Sequence, residues 1–187
     1  ESLVSAAINT HATDTINSFN AKLRVSKLSA AIDGADPSIL NSENSILLQK
    51  KFTPSLNTKQ GHTLEYVNEI YREIPDSSSV FPDGSAPVSS TEFTFDGLSG
   101  CSLRDDGNGV MQVVQQGSSV LTIVNKDIGS VDYINGTVKL VNFEVSAFTG
   151  DGITVSANPV SKTLKSNKNI ILSYNNTPSI TVEQERI

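Results

Sequence analysis

The sequence contains no tryptophan, one cysteine and few aromatic residues, which make up 6% of its 187 positions. Surfaces that bind sugars usually present exposed aromatic rings, so this composition disfavours large aromatic binding platforms. The single cysteine, Cys101, excludes an internal disulfide and a cysteine metal cluster. Its expected role is that of a small buried apolar side chain, and such cysteine usage fits a reducing compartment.

Long apolar runs and a leader segment are also lacking. No stretch approaches the roughly 20 apolar residues that a membrane-spanning helix needs, so we expect no membrane span. The sequence begins at Glu1 rather than at a methionine, and we expect it to be a fragment of a longer polypeptide. Its length is sufficient for one sizeable domain, or for two small ones, with an ordinary apolar core.

Residues that carry out catalysis are scarce. The two histidines, His11 and His62, have no metal-ligand or nucleophile neighbour at a useful spacing. The sequence contains neither a nucleophile elbow nor a phosphate-binding glycine loop. We therefore expect no enzymatic activity and no cofactor.

Asp-Gly and Asn-Gly steps recur along the sequence, and the loop RDDGNG at residues 104–109 superficially offers oxygen ligands for calcium. The loop lacks the alternating ligand positions and the distal glutamate of an EF-hand, and it matches no glycine-rich nonapeptide repeat. We interpret these steps as turns in which glycine supplies a positive φ, and we expect no metal site.

Acidic residues outnumber basic ones by 20 to 14, which gives a net charge of −6. Such a protein is repelled by nucleic-acid phosphates and by anionic membranes, so we expect neither as a partner. The excess lies in residues 61–125, with nine acidic and two basic residues, whereas residues 1–60 and 126–187 are nearly balanced. This acidic segment is either a solvated face, the more common case, or a surface complementary to a basic partner.

The N-terminal part of the sequence has a helical pattern followed by extended chain. Apolar residues recur at three- and four-residue steps, which predicts an amphipathic helix with one apolar stripe. A second helix is predicted over residues 26–33, with Ser26 as its N-terminal cap and Gly34 as a left-handed residue after its end. Extended chain then leads to a boundary at Pro54. The stripe consists of Val4, Ile8, Ala12, Ile16, Phe19 and Leu23.

From about residue 62 the pattern is typical of short β-strands. Phe93 and Phe95 alternate with polar residues, as in a half-buried strand. The segment 75–90, which contains three prolines and several serines, is predicted to be a loop or a flexible arm. Further strands are predicted at residues 102–104, 110–115, 120–124, 153–157, 170–174 and 180–182.

The segment DYINGTVKL at residues 132–140 predicts a β-hairpin with Asn135 and Gly136 as the central residues of a two-residue type I′ turn. This register places the apolar side chains of both strands on one face of the hairpin. The predicted pairs are Val131 with Leu140, Asp132 with Lys139, Tyr133 with Val138, and Ile134 with Thr137.

Beyond Leu140 the apolar positions shift by one residue, to Val141, Phe143 and Val145. Because side chains alternate between the faces of a strand, the shift predicts a β-bulge or a strand buried on both faces. The change begins where Gly129 would lie opposite. This shifted apolar face is a candidate for contact with another subunit.

Three stretches of sequence carry a resemblance to a known family. They are FNAKLRVSKLSAAIDGADPSIL with LLQKKFTPSLN, within Phe19–Asn57, then IGSVDYINGTVKLVNFEV at Ile128–Val145 and NPVSKTLKSNKNIILSY at Asn158–Tyr174. Together they resemble the C-terminal part of the ring-forming baseplate wedge subunit of T-even-type contractile-tail phages, in the baseplate J-like group. The resemblance runs along most of the chain, although no catalytic motif anchors it.

The resemblance implies a structural protein of the virion, located in the tail baseplate and assembled in the host cytoplasm. The family's subunit pairs with a second copy of itself in each wedge. Neighbouring wedges join through such copies into a closed ring around the hub, so the implied partners are other wedge and hub proteins. Candidate contact residues are Val4, Ile8 and Ile16, whose stripe is either core or interface, together with Val141, Phe143 and Val145.

Pattern and resemblance together predict an α+β chain, with a short N-terminal helical segment followed by a mostly antiparallel β-rich domain. We place the boundary after residue 57. Residues 1–57 would form a helical and extended segment that completes a domain continuing upstream. Residues 58–187 would form the β-rich domain, with the polar loop at 75–90 as an additional contact element.

Two alternatives from other classes remain at this point. The first is a carbohydrate-binding or adhesin-type β domain without catalysis, which the lack of tryptophan disfavours. The second is a glycan hydrolase, which needs two carboxylates in one cleft. Glu65, Glu69 and Glu73 are close in sequence, but their spacing fits a solvated face equally well.

Overall fold

A computed structural model describes residues 2–72, 86–117, 121–167 and 171–173. The chain forms two compact units, and the first combines both ends of the sequence, Glu1–Ser45 and Ser161–Ile187. The second unit spans Ile46–Val160. Two helices together with a mostly antiparallel β-sheet confirm the predicted α+β class. The division into units falls elsewhere than the expected boundary after residue 57.

The described helices and strands are as follows. The helices are α1 (Ser2–Thr15) and α2 (Val25–Asp33). The strands are β1 (Lys22–Arg24), β2 (Leu48–Phe52), β3 (Gln60–Glu65), β4 (Val88–Ser90), β5 (Phe93–Phe95), β6 (Leu98–Asp105), β7 (Val110–Gln116), β8 (Leu121–Asp132), β9 (Thr137–Phe143), β10 (Ala147–Phe148), β11 (Ile153–Ala157) and β12 (Thr163–Lys165).

Helix α1 is shorter than its apolar stripe predicts. Ile8 is buried on the helix and Ile16 is buried just after its end, but Phe19 is exposed and Leu23 lies in β1. The apolar residues after Thr15 keep a helical spacing although the helix has ended. Within the helix, Ile8 is the buried residue of the stripe, and Val4 and Ala12 are half-buried.

Helix α2 is confirmed, but both of its predicted caps are wrong. Arg24 precedes it in an extended conformation without a side-chain cap, and Ser26 lies inside the helix. Gly34 has a φ of −80°, and its N–H donates to the carbonyl oxygen of Ala30 at 3.1 Å. The helical hydrogen-bond pattern thus continues into Gly34, so no left-handed residue is needed there.

Strands β1 and β12 form a two-stranded antiparallel ribbon in the first unit. Leu23 pairs directly with Leu164, and both side chains are buried. The ribbon is closed next to Leu164 by Ser166, whose hydroxyl oxygen accepts a hydrogen bond from the N–H of Ala21 at 2.7 Å. Because Leu23 and Leu164 are buried, the residues next to them on each strand point to the opposite face of the ribbon.

The second unit is built on a ten-stranded antiparallel sheet with the order β2-β11-β4-β6-β7-β8-β9-β3, and β5 joins β6 to β10. Its end strands β2 and β3 meet, since the rings of Phe52 and His62 lie 4.5 Å apart. The hydroxyl of Tyr66, just after β3, donates to the carbonyl oxygen of Val155 in β11 at 2.8 Å. The sheet therefore curls into a nearly closed barrel.

The barrel interior is filled by alternate side chains of its strands. The ring of Phe143 packs edge-on against that of Phe93, with centroids 5.3 Å apart, and contacts Phe52 and Phe95 at 6.0 and 6.4 Å. Cys101 is also buried there with a free thiol, which confirms its expected role. Other fully buried side chains include Val88, Leu103, Met111, Val113, Val138, Leu140, Val145 and Ile153.

The hairpin of β8 and β9 forms, but its predicted turn is wrong. Asp132 pairs with Thr137 rather than with Lys139, which leaves a four-residue loop. The carboxylate of Asp132 accepts hydrogen bonds from the backbone N–H and the side-chain amide of Asn135, at 2.9 and 2.7 Å. This bonding stabilises the longer loop, in which Gly136 has a φ of +62°. The apolar face survives because a shift of two residues preserves the alternation of faces.

A two-residue turn of the predicted kind occurs instead between β5 and β6. Phe95 pairs with Leu98, and the two residues between them, Asp96 and Gly97, have φ values of +50° and +78°. Positive φ at both central positions is the requirement of a type I′ turn. The Asp-Gly signal is present in the sequence at this position, although the sequence reasoning did not single it out.

The predicted bulge beyond Leu140 is confirmed. Gln60 pairs with Phe143 and His62 with Leu140, so β9 holds one more residue than β3 between these pairs. Asn142 in the bulge has a φ of +52°. The extra residue allows Leu140 and Phe143 to point into the same interior.

The remaining predictions divide between strands that form and segments that are not described. Strands β6, β7, β8 and β11 confirm those predicted between residues 102 and 157. The predicted loop 75–90 is wrong at its C-terminal end, where β4 pairs with β11 and β6 and Val88 is fully buried. Residues 73–85 and the predicted strand at 180–182 lie outside the described residues. Of the predicted strand at 170–174, only 171–173 are described, and they form no strand.

Candidate functional site

An open groove lies in the second unit where four segments meet: the β2–β3 loop, the β5–β6 turn, the middle of β8 and the end of β9. Its volume is about 920 Å³. The segments come from distant parts of the sequence, and the antiparallel order of the sheet brings them together. The side chains that give the groove its character are Lys59, Asp96, Asp127, Val141, Asn142 and Glu144.

The groove is acidic. Three carboxylates, those of Asp96, Asp127 and Glu144, line it together with one cation, Lys59. Among the described residues none of the three makes an ion pair. The second unit holds thirteen acidic and seven basic residues, and the first unit holds seven of each. The entire net charge of −6 thus belongs to the unit that contains the groove.

Left-handed backbone shapes the groove. Five described residues other than glycine have a positive φ, and Asn57, Asp96 and Asn142 among them line it. Asparagine and aspartate adopt this conformation more readily than other side chains, so the turns and the bulge form with little strain. The carboxylate of Asp96 is therefore held on a tight turn rather than on a long loop.

The six predicted contact residues divide sharply by burial. Val141 is 58% exposed and lines the groove, because it alternates with the buried Leu140 and so lies outside the barrel. Phe143 and Val145 are fully buried in their own unit and are not available to a partner. Of the α1 stripe, Ile8 and Ile16 are buried and Val4 is half-buried. Val141 is thus the exposed member of the set.

A second cluster of polar side chains is structural. Asp105 is almost fully buried, and its carboxylate accepts hydrogen bonds from the hydroxyl of Tyr133 at 2.8 Å and the N–H of Gly107 at 3.0 Å. The N–H of Gly109 donates to the Tyr133 oxygen at 3.0 Å, and the guanidinium of Arg72 lies 5.6 Å from the ring centroid. The cluster ties the β6–β7 loop to the β8–β9 loop.

This cluster accounts for the loop that superficially resembles a calcium site. Burial raises the pKa of Asp105, and burial together with the Asp105 carboxylate raises the pKa of Tyr133. One oxygen of Asp106 accepts hydrogen bonds from the N–H groups of Asn108 and Val110, at 2.8 and 2.9 Å. Within the described part of the chain, no three histidine, cysteine, aspartate or glutamate side chains are grouped as metal ligands.

Removal of the Tyr133 hydroxyl should destabilise the barrel in a pH-dependent way. In Tyr133→Phe the buried carboxylate of Asp105 loses a donor, which should cost about 1–3 kcal/mol at neutral pH. The raised pKa of Asp105 rises further, so protonation relieves part of the loss. The difference from wild type should therefore shrink as the pH falls from 7 toward 4.

Urea unfolding of both proteins across this pH range measures the effect. Tyr71→Phe is the matched control, since the Tyr71 side chain is 47% exposed and should lose less than about 0.5 kcal/mol. A constant difference between Tyr133→Phe and wild type from pH 7 to pH 4 would contradict the assignment of Asp105 as the responsible group.

The other residues considered from sequence form no catalytic site among the described residues. The His62 ring packs between Phe52 and Phe143, and burial lowers its pKa. Glu65 is an exposed residue of β3 and Glu69 is exposed beyond its end. Glu73 lies outside the described residues. His11 is half-buried on α1. No described helix is both long and apolar enough to cross a membrane.

The groove was not found from the sequence. Its acidic residues lie at positions 96, 127 and 144, and only the first falls in the acidic segment 61–125. The one sequence signal was the Asp96-Gly97 step, which fixes a tight turn and thereby the position of its carboxylate. The bulge and this turn lie close together only in the folded sheet, and no local sequence pattern predicts that proximity.

Comparison with protein families gives one match. Residues 1–51 match the family described as "Baseplate structural protein gp6, C-terminal domain III". The matched segment contains α1, β1 and α2 and ends inside β2. No curated protein matches the chain. The family match supports a structural, non-enzymatic role in a phage baseplate, a location in the virion tail and interaction with other baseplate components.

Proposed function

We propose that the chain is a baseplate wedge subunit of a contractile-tail phage that self-associates and joins neighbouring wedges into the baseplate ring. The observation that carries the proposal is the match of residues 1–51 to a domain of a baseplate structural protein. The resemblance of later segments, at Ile128–Val145 and Asn158–Tyr174, to the ring-forming wedge subunit extends the argument beyond the matched residues.

The proposed mechanism is mechanical. The subunit assembles in the host cytoplasm, pairs with a second copy in a wedge, and holds other wedge and hub proteins in register. The nearly closed barrel suits this role, because its packed interior, with Phe93 and Phe143 buried, resists deformation while its surface remains free for contacts. Subunit interfaces, rather than a reaction centre, would be the places that change when the tail contracts.

Light scattering of the purified chain over a wide concentration range tests self-association. The expected result is a mass that rises with concentration above that of a monomer. A parallel binding assay with the wedge and hub proteins of the same phage should recover at least one of them. A chain that stays monomeric at high concentration and binds none of these proteins would refute the proposal.

The groove gives no support to a sugar-binding role. Its lining includes one aromatic side chain, that of Phe95, which is half-buried, whereas sugar sites usually stack the ring on an exposed aromatic face. A glycan array should therefore give no signal above background.

A further inference from the structure

We propose that His62 is a pH-sensitive switch in the β2–β3 seam, the line along which these two end strands close the barrel. Protonation of the imidazole releases its ring from Phe52, and the seam then opens at this end while the other strands of the sheet stay paired. The switch belongs to the second unit alone and does not depend on the proposed function.

The β2–β3 seam lacks the ladder of backbone hydrogen bonds that joins the other neighbouring strands of the barrel. Among the described residues, β2 pairs only with β11, and β3 pairs only with β9. Side chains connect the two sides instead. The rings of Phe52 and His62 meet at one end, and the hydroxyl of Tyr66 donates to the carbonyl oxygen of Val155 at the other. The His62 end can therefore open without breaking a strand pair.

The imidazole of His62 packs in an aromatic and apolar site. Its ring centroid lies 4.5 Å from that of Phe52 and 6.3 Å from that of Phe143, and Leu140 lies directly opposite on β9. Its Nε2 is buried and has no hydrogen-bond partner within the described part of the chain. A protonated imidazole carries an N–H on both ring nitrogens, so protonation places a charged donor without an acceptor at this buried position.

The charged groups around the site offer a protonated His62 no compensation. His62 makes no ion pair among the described residues. By strand alternation, β2 presents Lys50 on the same face as Phe52, and a lysine repels an imidazolium. Asp151, near the end of β2, pairs with Lys51. The remaining charged residues on and beside these strands are exposed or line the groove: Lys51, Lys59, Glu65, Lys139 and Glu144.

The direction of the pH effect follows from the two states of the ring. In the closed seam, burial lowers the pKa of His62. In the open seam the ring is solvated, and its pKa returns to the ordinary value of about 6.5. The open form therefore binds a proton more readily than the closed form. Above pH 6.5 the closed form keeps its full stability, and it loses stability progressively as the pH falls from about 6.5 to the lowered pKa of the closed form.

Hydrogen exchange followed by mass spectrometry tests the switch, with rates corrected for the intrinsic effect of pH. From about pH 7.5 to about pH 5.5, the amides of β2 and β3 should exchange faster, by up to about tenfold per pH unit below 6.5. The amides of β7, which lies between β6 and β8 in the sheet, should not change. His62→Phe keeps an aromatic ring in the seam without a titrating group, and it should show no acceleration.

The matched control is His11→Phe, which makes the same substitution at the other histidine, on α1 in the first unit. It should keep the wild-type response of β2 and β3. An NMR titration of the histidine Hε1 resonances of the wild-type chain keeps the test informative if His62→Phe fails to fold. The resonance that is missing in His11→Phe identifies the other as His62, which should titrate below pH 6.5.

Four results would overturn the proposal. The first is a His62 resonance that titrates at or above pH 6.5, as expected if the phenylalanine rings stabilised the imidazolium. The second is exchange in β2 and β3 that does not accelerate in the wild-type chain at low pH. The third is acceleration that persists in His62→Phe, which would assign the effect to another titrating group. The fourth is equal acceleration in β7, which would show global unfolding rather than opening of the seam.

Discussion

Gly136→Ala should destabilise the second unit by about 3 kcal/mol or more, from backbone strain and a backbone clash together. Gly136 has a φ of +62°, a conformation that costs an alanine about 1–2 kcal/mol. A methyl group there would lie 2.0 Å from the backbone oxygen of Asn68. Neither backbone segment can move easily to relieve the clash. The N–H of Tyr66 donates to the Gly136 oxygen at 2.7 Å, and Asn68 is buried.

Urea unfolding followed by circular dichroism measures this loss. Gly97→Ala is the matched control, since Gly97 has a φ of +78° but nothing within 4 Å of the added methyl group. It should therefore show the strain alone, about 1–2 kcal/mol. Equal losses in the two variants would mean that the β8–β9 loop is not packed against residues 66–70.

Phe143→Ala should cost about 3–5 kcal/mol, as expected for a large side chain removed from a core that cannot collapse around the cavity. Phe143 is fully buried, and its ring contacts those of Phe93 and Phe95 from β5 and that of Phe52 from β2. Phe143→Leu leaves a smaller cavity and should lose markedly less. The comparison keeps the test informative if the alanine variant fails to fold.

Val141→Ala, two residues away from Phe143, should have little effect on stability. Its side chain is exposed, so the free energy of unfolding should change by less than about 0.5 kcal/mol. Thermal unfolding of both variants compares the two positions directly. A large loss in Val141→Ala, or a negligible one in Phe143→Ala, would contradict the division between core and surface that the bulge creates.

The strands of the second unit were predictable because their signal is local. Alternation marks Phe93 and Phe95, and the apolar face of the β8–β9 hairpin survived an error of two residues in its register. The turn itself was not predictable from Asn135 and Gly136 alone. Its length depends on the side chain of Asp132 and on the packing of Gly136 against Asn68.

The strand pairing in the first unit could not be predicted from the sequence. Strand β1 is three residues long, and its partner β12 lies about 140 residues away, so no local pattern announces their pairing. The groove has the same origin, because the turn at Asp96, strand β8 and the bulge at Asn142 meet only in the folded sheet. Periodicity reports which face of an element is buried, but it does not report which elements become neighbours.

The bulge at Asn142 affects which positions of strand β9 can change during evolution. On a regular strand, Val141 and Phe143 would lie on the same face, and a change in one would constrain the other. The extra residue places Val141 on the surface and Phe143 in the core, so that position 141 can vary while position 143 stays fixed by the fold. Single substitutions at residue 141 could therefore change the lining of the groove without rebuilding the barrel.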